Sequence, residues 1–155
     1  MKTRLLFMIF LLTLAACGNP APDVNLALHQ QASASQEELS AHAWLSVDGM
    51  TGSGWSPGAA LPQWIEVDLG RFVSVSTIRL LVNQPGGGVS HHTLWVAGED
   101  HTFRQVAEFN EEFHTGDWLI YAPDQVMQGI HYVKVETLEG AQWVGWLEVQ
   151  VWGQP

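Results

Sequence analysis

Seven histidines, 16 acidic residues, eight tryptophans and one cysteine are the groups in this chain with chemistry to offer. Their spacing first removes several reaction types. No G-x-S-x-G elbow, H-E-x-x-H pair or phosphate-cradling glycine loop occurs. His91 and His92 adjoin in a β-like run, so they point to opposite faces and do not chelate one ion together. Sixteen carboxylates make chance Asp/Glu pairs inevitable, so no pair stands out for acid–base work. The chain is expected to bind rather than catalyse. What the spacing does offer is aromatic, amide and imidazole side chains at loops or strand ends: His42, Trp44, Asn83, Gln84, His91, Trp118 and Trp143. An aromatic face beside fixed donors and acceptors suits a neutral, hydroxyl-rich ligand. The candidate ligand-binding residues are His42, Trp44, Gln84 and Trp143. Trp143 stands between Gly140-Ala141-Gln142 and Val144-Gly145, where small neighbours leave its ring open.

The N-terminus has a different logic. Lys2 and Arg4 precede an apolar run over residues 5–14 that closes on Leu14-Ala15-Ala16-Cys17. The run is about half as long as a membrane crossing requires, which is the layout of a secretory signal over residues 1–16. Leu14-Ala15-Ala16-Cys17 resembles the lipobox of bacterial lipoproteins. That resemblance implies cleavage before Cys17, acyl chains on Cys17, and a tether over residues 17–24. Gly18-Asn19-Pro20-Ala21-Pro22-Asp23 has the small, Pro-rich composition of such a tether. The expected location is the cell envelope, exported to the cell surface or outer membrane, with membrane contact through the lipid anchor only.

Loss of residues 1–16 leaves four basic residues against 16 acidic ones, a net charge of −12. Such a surface repels phosphate backbones and anionic headgroups, which excludes nucleic acid as a partner. It suits neutral sugars, cations or basic surfaces. The remaining length fits one domain with a core large enough to need no disulfide.

The elements that must position the candidate residues have period two. Ile65, Val67 and Leu69 alternate with Glu66 and Asp68, the pattern of a half-buried strand. Further strands are expected over 77–82, 93–97, 103–109, 118–121, 131–137 and 146–152. Val133, Val135 and Thr137 face one way; Tyr132, Lys134 and Glu136 face the other. Gly70, Pro85-Gly86-Gly87-Gly88, Gly98-Glu99-Asp100, Gly116-Asp117, Gly129 and Glu139-Gly140 punctuate the series. Many short strands with regular turns predict an all-β antiparallel sandwich or barrel. One short helix is expected within residues 36–46. Trp55 and Trp64 are expected to plug the sandwich.

Six blocks in order now carry a resemblance. They are Asn25-Leu26-Ala27; Ser46-Val47-Asp48-Gly49 with Gly52-Ser53-Gly54-Trp55-Ser56; Gln63-Trp64-Ile65-Glu66-Val67-Asp68-Leu69-Gly70; Ile78-Arg79-Leu80; Tyr132-Val133-Lys134-Val135; and Trp146-Leu147-Glu148-Val149-Gln150-Val151-Trp152-Gly153. Together they resemble the discoidin domain, also called coagulation factor 5/8 type C, which includes family 32 carbohydrate-binding modules. The resemblance covers residues 25–153 and implies a galactose-binding-like β-sandwich with jelly-roll topology.

The resemblance also implies a structural Ca²⁺ between the Asp-Gly loop and the last strand. Asp48 and Glu148 would give carboxylates, Ser53 a hydroxyl, and Leu45, Met50 and Leu147 carbonyls, the hard oxygen shell that Ca²⁺ takes. Met50 stands where the family often has Asn, and a carbonyl ligand tolerates that change. Galactose-binding relatives pair a His, an Arg and an aromatic, and His42 holds the position of such a histidine. The Arg after Ile78-Arg79-Leu80 is missing; Asn83-Gln84-Pro85 stands there. The expected function is therefore a surface-anchored module for carbohydrate or glycoconjugate. The alternative is a structural lipoprotein that docks an envelope protein on the same sandwich.

Overall fold

The computed structural model describes residues 21–140 and 143–155. The expected signal segment, Cys17 and the first part of the tether lie outside them. Eight strands follow in chain order: β1 (Val24–Asn25), β2 (Gln31–Ala34), β3 (Gln63–Asn83), β4 (Gly88–Ala97), β5 (Arg104–Phe113), β6 (Trp118–Tyr121), β7 (Met127–Gly140) and β8 (Gly145–Gln154). All pairings are antiparallel. The order is β1-β8-β3-β7-β4-β5, with β2 and β6 also on β3.

β3 joins the two layers of this sandwich. Its first half pairs β2 and β7, and its second half pairs β8 and β6. The two strands expected at 64–69 and 77–82 are thus one strand, Gln63–Asn83. Gly70 bends it instead of ending it: φ is +71° there, and the β3–β7 register shifts between Asp68 and Val73. Ile65, Val67, Leu94, Val96, Val133 and Val135 from one layer meet Val75, Ile78, Leu80, Val149 and Val151 from the other in a single core. The period-two reading of β7 holds, with Val133, Val135 and Thr137 buried and Tyr132, Lys134 and Glu136 only half-buried.

The two plug tryptophans separate. Trp55 is fully buried and its indole N–H donates to the Gln36 carbonyl at 2.7 Å. Trp64 is a correction. It shares the outward phase of Glu66 and Asp68, and the Lys134 ammonium lies 5.4 Å from its ring centre. The expected helix shrinks to a 3-10 turn, Ala43–Val47, in the long β2–β3 connection.

That connection, the β3–β4 loop, the β5–β6 turn, the end of β7 and the start of β8 gather at one pole. The pairing of Gln63 with Thr137, of Ser90 with Gly140 and of Asn83 with Gly145 places them there. β1 lies at the opposite pole, where Val24 pairs Gly153 at the far end of β8.

Candidate ligand cleft and cation site

Glu148 is the most conspicuous polar residue in the fold. It pairs with Leu81 of β3 near the start of β8 and is fully buried, with neither carboxylate oxygen in a hydrogen bond. A carboxylate shut away from water and left unpartnered is costly. Burial, and then the charge of Asp48, push its carboxyl up to about 7; the nearby Gly49 amide and Gln150 side chain offset this only in part. Asp48 lies just beyond the 3-10 turn. Its Oδ1 accepts the Met50 amide at 2.7 Å and its Oδ2 accepts the Ser53 hydroxyl at 2.9 Å. Gly54 lets this loop press onto β8, since a Cβ there would lie 2.5 Å from the Leu147 Cα and from the Trp146 carbonyl oxygen. Ser46 pins the other side. Its hydroxyl donates to the Trp146 carbonyl at 2.7 Å and accepts the Trp55 amide at 3.0 Å.

The donor set fits a hard cation. An orphaned buried carboxylate beside Asp48 and Ser53 is what a divalent ion would neutralise. Among the described residues no three His, Cys, Asp or Glu side chains converge. Any cation here therefore draws on two carboxylates, and on a hydroxyl and backbone carbonyls for the rest.

The candidate ligand residues divide between two clefts. Trp143 is half-buried and lines a cleft of about 530 Å³ with Gly58, Ala59, Ala60, Leu61 and Gly140. Gln63 fastens the wall at 58–61: its amide nitrogen donates to the Ala60 carbonyl at 2.5 Å, and its oxygen accepts from Ser35. Trp44, 56% exposed, lines a second cleft of about 520 Å³ with His29, Gln30, Val47, Asp48 and Met50, beside the cation site. The two clefts share no lining residue. His42 lines neither. Its Nδ1 lies 3.0 Å from Glu37 Oε2, while Glu37 Oε1 accepts the Ala43 amide at 2.8 Å. The Ala43 amide first, then His42, hold the Glu37 carboxyl below its ordinary range.

Gln84 is a correction. It is fully buried, and its amide nitrogen donates to the Gly88 carbonyl while its oxygen accepts the Ser90 hydroxyl, both at 2.9 Å. A side chain so satisfied inside the fold offers nothing to a surface ligand; it shapes the β3–β4 loop. Ser90 continues inward to His92 Nε2 at 2.8 Å, and His92 Nδ1 meets Thr137 Oγ1 at 3.0 Å. With the Ser90 proton directed to Gln84, His92 carries its proton on Nε2 and accepts from Thr137 on Nδ1. The Ser–His pair lacks a carboxylate partner and lies inside the core, so it is structural. His91 faces out, 2.8 Å from Glu108, confirming that the two histidines diverge. Trp118 lies under the Arg79 guanidinium at 4.4 Å. The wall at 58–61, its fastener Gln63 and the orienting Glu37 carry no local signal that marks them as part of a site.

The family model for the F5/8 type C domain matches residues 31–149. The chain belongs to the F5/8 type C family. Solved family 32 modules share its fold. One is the module from Clostridium perfringens NanJ in complex with galactose, at 20% identity, 84% and 98% coverage of the two chains and a TM-score of 0.71. A second C. perfringens module, in complex with GalNAc-β-1,3-galactose, gives 22% identity, 83% and 99% coverage and a TM-score of 0.70. Chitosan-binding module 1 from a Paenibacillus sp. IK-5 chitosanase/glucanase gives 25% identity, 84% and 99% coverage and a TM-score of 0.69. A comparison with curated protein sequences finds no match. In this F5/8 type C domain, the β-sandwich joins two layers through one bent strand, and its long loops meet at one pole.

Proposed function

We propose that this F5/8 type C domain binds carbohydrate in the Trp143 cleft and is held on the bacterial envelope by a lipid on Cys17. The observation that carries the reading is a half-exposed tryptophan in a fastened cleft at the loop pole of this fold. An aromatic face packs against the C–H face of a sugar ring, and the backbone groups of the 58–61 wall offer donors and acceptors. The solved relatives named above, in complex with galactose and GalNAc-β-1,3-galactose, support a sugar as the ligand class.

The anchor and the cleft are geometrically compatible. β1 enters at the pole opposite the cleft, and β8 spans the two with ten residues, a separation of about 30 Å. A lipid upstream of Ala21 therefore leaves the cleft directed away from the membrane. Ca²⁺ is the cation we assign to Asp48, Ser53 and Glu148, with carbonyls of Leu45, Met50 and Leu147 completing its shell. Its role is to neutralise Glu148 and hold the Asp48 loop on β8. In this reading the domain binds rather than catalyses, in keeping with the binding modules that share its fold.

A glycan array probed with the full chain tests the reading. Binding to one glycan class, lost in Trp143→Ala, is the expected result. No binding to any glycan at millimolar concentration would overturn it in favour of protein docking.

A further inference from the structure

The cleft of about 520 Å³ beside the cation site is lined by His29, Gln30, Trp44, Val47, Asp48 and Met50. Three short segments wall it: the turn between β1 and β2, the 3-10 turn Ala43–Val47 and the loop that follows at 48–50. They are fastened to one another. The His29 amide donates to the Val47 carbonyl at 2.7 Å, and Leu28 packs on Gly49, its Cδ1 3.0 Å from the place a Cβ would take. His29 sits at φ +59°, a left-handed backbone that a non-glycine residue keeps only where its surroundings fix it. This cleft is on the flank of the sandwich. Gln31 follows its wall and pairs with Asp68, about 16 Å along β3 from the Gln63 that fastens the Trp143 cleft.

Trp44 and Met50 are 56% and 57% exposed. A tryptophan left this open is uncommon on a folded domain, and here it stands over a cleft. The polar groups beside it are uncommitted. His42, His91, His101, His114 and His131 each face a carboxylate and His92 is buried, whereas His29 is exposed and, among the described residues, faces none. The Gln30 amide likewise has no hydrogen-bond partner among the described residues, unlike those of Gln63, Gln84 and Gln154. An aromatic face with a free amide and a free imidazole at its edge matches a pyranose, which offers C–H groups on its face and hydroxyls around its rim. The cleft holds neither Lys nor Arg for an anionic sugar. Asp48 spends its charge on the cation, and with Glu148 it balances a divalent ion. The occupant that fits is neutral.

Asp48 and Met50 serve both places. The Asp48 carboxylate and the Met50 carbonyl belong to the shell assigned to Ca²⁺, and the same two residues line the cleft. Without the ion, Asp48 and the buried Glu148 repel each other, and the wall at 48–50 loses part of what holds it on β8. We infer that the Trp44 cleft is a second, calcium-dependent subsite for a neutral pyranose, separate from the Trp143 cleft. It adds a site to the carbohydrate reading and rests on that reading for its ligand class. By itself the subsite is too weak to retain a glycan. On a long glycan already held at Trp143 it adds affinity through effective concentration. The coupling is reciprocal: calcium tightens sugar in this cleft, and sugar there tightens calcium.

Nuclear magnetic resonance of the indole N–H groups in the full chain tests the inference, because it detects weak binding at each tryptophan separately. The Trp44 and Trp143 signals are identified by their loss in Trp44→Ala and Trp143→Ala. The probes are the methyl glycosides of galactose, N-acetylgalactosamine and glucose, with methyl galacturonate as the anionic control. With calcium present, at least one neutral glycoside should move the Trp44 signal saturably at millimolar concentration. Chelator, or Glu148→Gln, should weaken that binding by about tenfold and leave the Trp143 signal responsive. Gln30→Ala should weaken it severalfold. Trp143→Ala should abolish binding in its own cleft and leave the Trp44 response. In calcium the same glycoside should raise Tm more than in chelator, and Trp44→Ala should remove that difference. A Trp44 signal indifferent to every sugar while the Trp143 signal moves would overturn the second subsite and leave the carbohydrate reading standing. A Trp44 response that vanishes in Trp143→Ala would make the two clefts one site and overturn it as well. Equal affinity in calcium and chelator would overturn the calcium dependence, and tighter binding of the galacturonate would overturn the neutral ligand. Silence at both tryptophans would remove both readings.

Discussion

His92 and Thr137 face each other across the β4–β7 ladder, and their side chains meet at 3.0 Å between Nδ1 and Oγ1 with both residues fully buried. The imidazole packs edge-on to Trp146 at 5.0 Å and lies 5.6 Å from Phe113. This neutral ring ties the inner end of the Gln84–Ser90 chain to the core, and Gln84 in turn holds the β3–β4 loop at the cleft pole.

The same burial makes the fold acid-sensitive. Desolvation first, then the charge of His91, hold the His92 imidazole at about 4 against an ordinary 6.5. The unfolded chain therefore takes a proton near pH 6.5 that the native state refuses until about 4. Stability is complete above pH 6.5 and falls as the pH drops toward 4, with a deficit of about 3 kcal/mol at the end of that window. His92→Gln removes the titrating group and should flatten this limb. Urea unfolding midpoints measured from pH 7.5 to 4 check it, and a wild type and variant that decline in parallel would refute it.

Calcium should stabilise the fold through Glu148. An ion bound only by the native state adds about 2.7 kcal/mol at a hundredfold excess over Kd, so chelator should lower Tm. Glu148→Gln removes the buried charge and keeps the shape. The metal-free variant should melt no lower than metal-free wild type, and calcium should no longer raise its Tm. A wild-type melting curve indifferent to both chelator and calcium, on protein assayed free of metal, rejects the site.

Gly54→Ala probes the seat of the same loop. The new Cβ meets backbone atoms of Trp146 and Leu147 at 2.5 Å, which no side-chain rotation relieves. The variant should lose about 1–3 kcal/mol, the usual range for forced overpacking, and should show weaker calcium stabilisation as the loop lifts off β8. Thermal melts with and without calcium measure both effects.

The alternation of Ile65, Val67 and Leu69 made the first half of β3 legible, and the same alternation carried the outward face of Trp64. Its size invited the opposite assignment, but its phase with Glu66 and Asp68 decides. The continuity of β3 was not legible, because Gly70 reads equally as a terminator or as a bend. Gln84 was misplaced because it follows the last strand residue, where alternation stops and only the fold of the Pro85–Gly88 segment turns the amide inward. Asp48 and Glu148 lie 100 positions apart, and no local pattern joins them; family resemblance did. Trp143 was singled out by its small neighbours, whereas the 58–61 wall of the cleft it lines is pure tertiary contact.

Trp143→Ala separates a platform from a core residue. Its half-buried ring lines an open cleft, so truncation should cost about 1 kcal/mol of stability, well short of the 3–5 kcal/mol of a core aromatic. Sugar affinity should fall to the detection limit, because stacking on one ring is a large share of a weak interaction. A melting loss of core size would place the ring inside and remove the platform.

The anchor has its own test, independent of the ligand. If acyl chains sit on Cys17, each buried methylene contributes about 0.8 kcal/mol, and several chains together hold the protein firmly in a bilayer. Cys17→Ser removes the only thiol in the chain and leaves the described domain untouched. Expressed in a bacterium, wild type should partition into detergent and label with a fatty-acid probe, whereas the variant should do neither and should appear in the soluble fraction. No helix among the described residues is long and apolar enough to cross a membrane. Because the cleft lies at the pole away from β1, the wild-type protein on intact vesicles should still bind its sugar, with the affinity of the detergent-solubilised form. Membrane association that survives in Cys17→Ser would refute lipidation, and sugar binding blocked on vesicles but restored in detergent would refute the orientation.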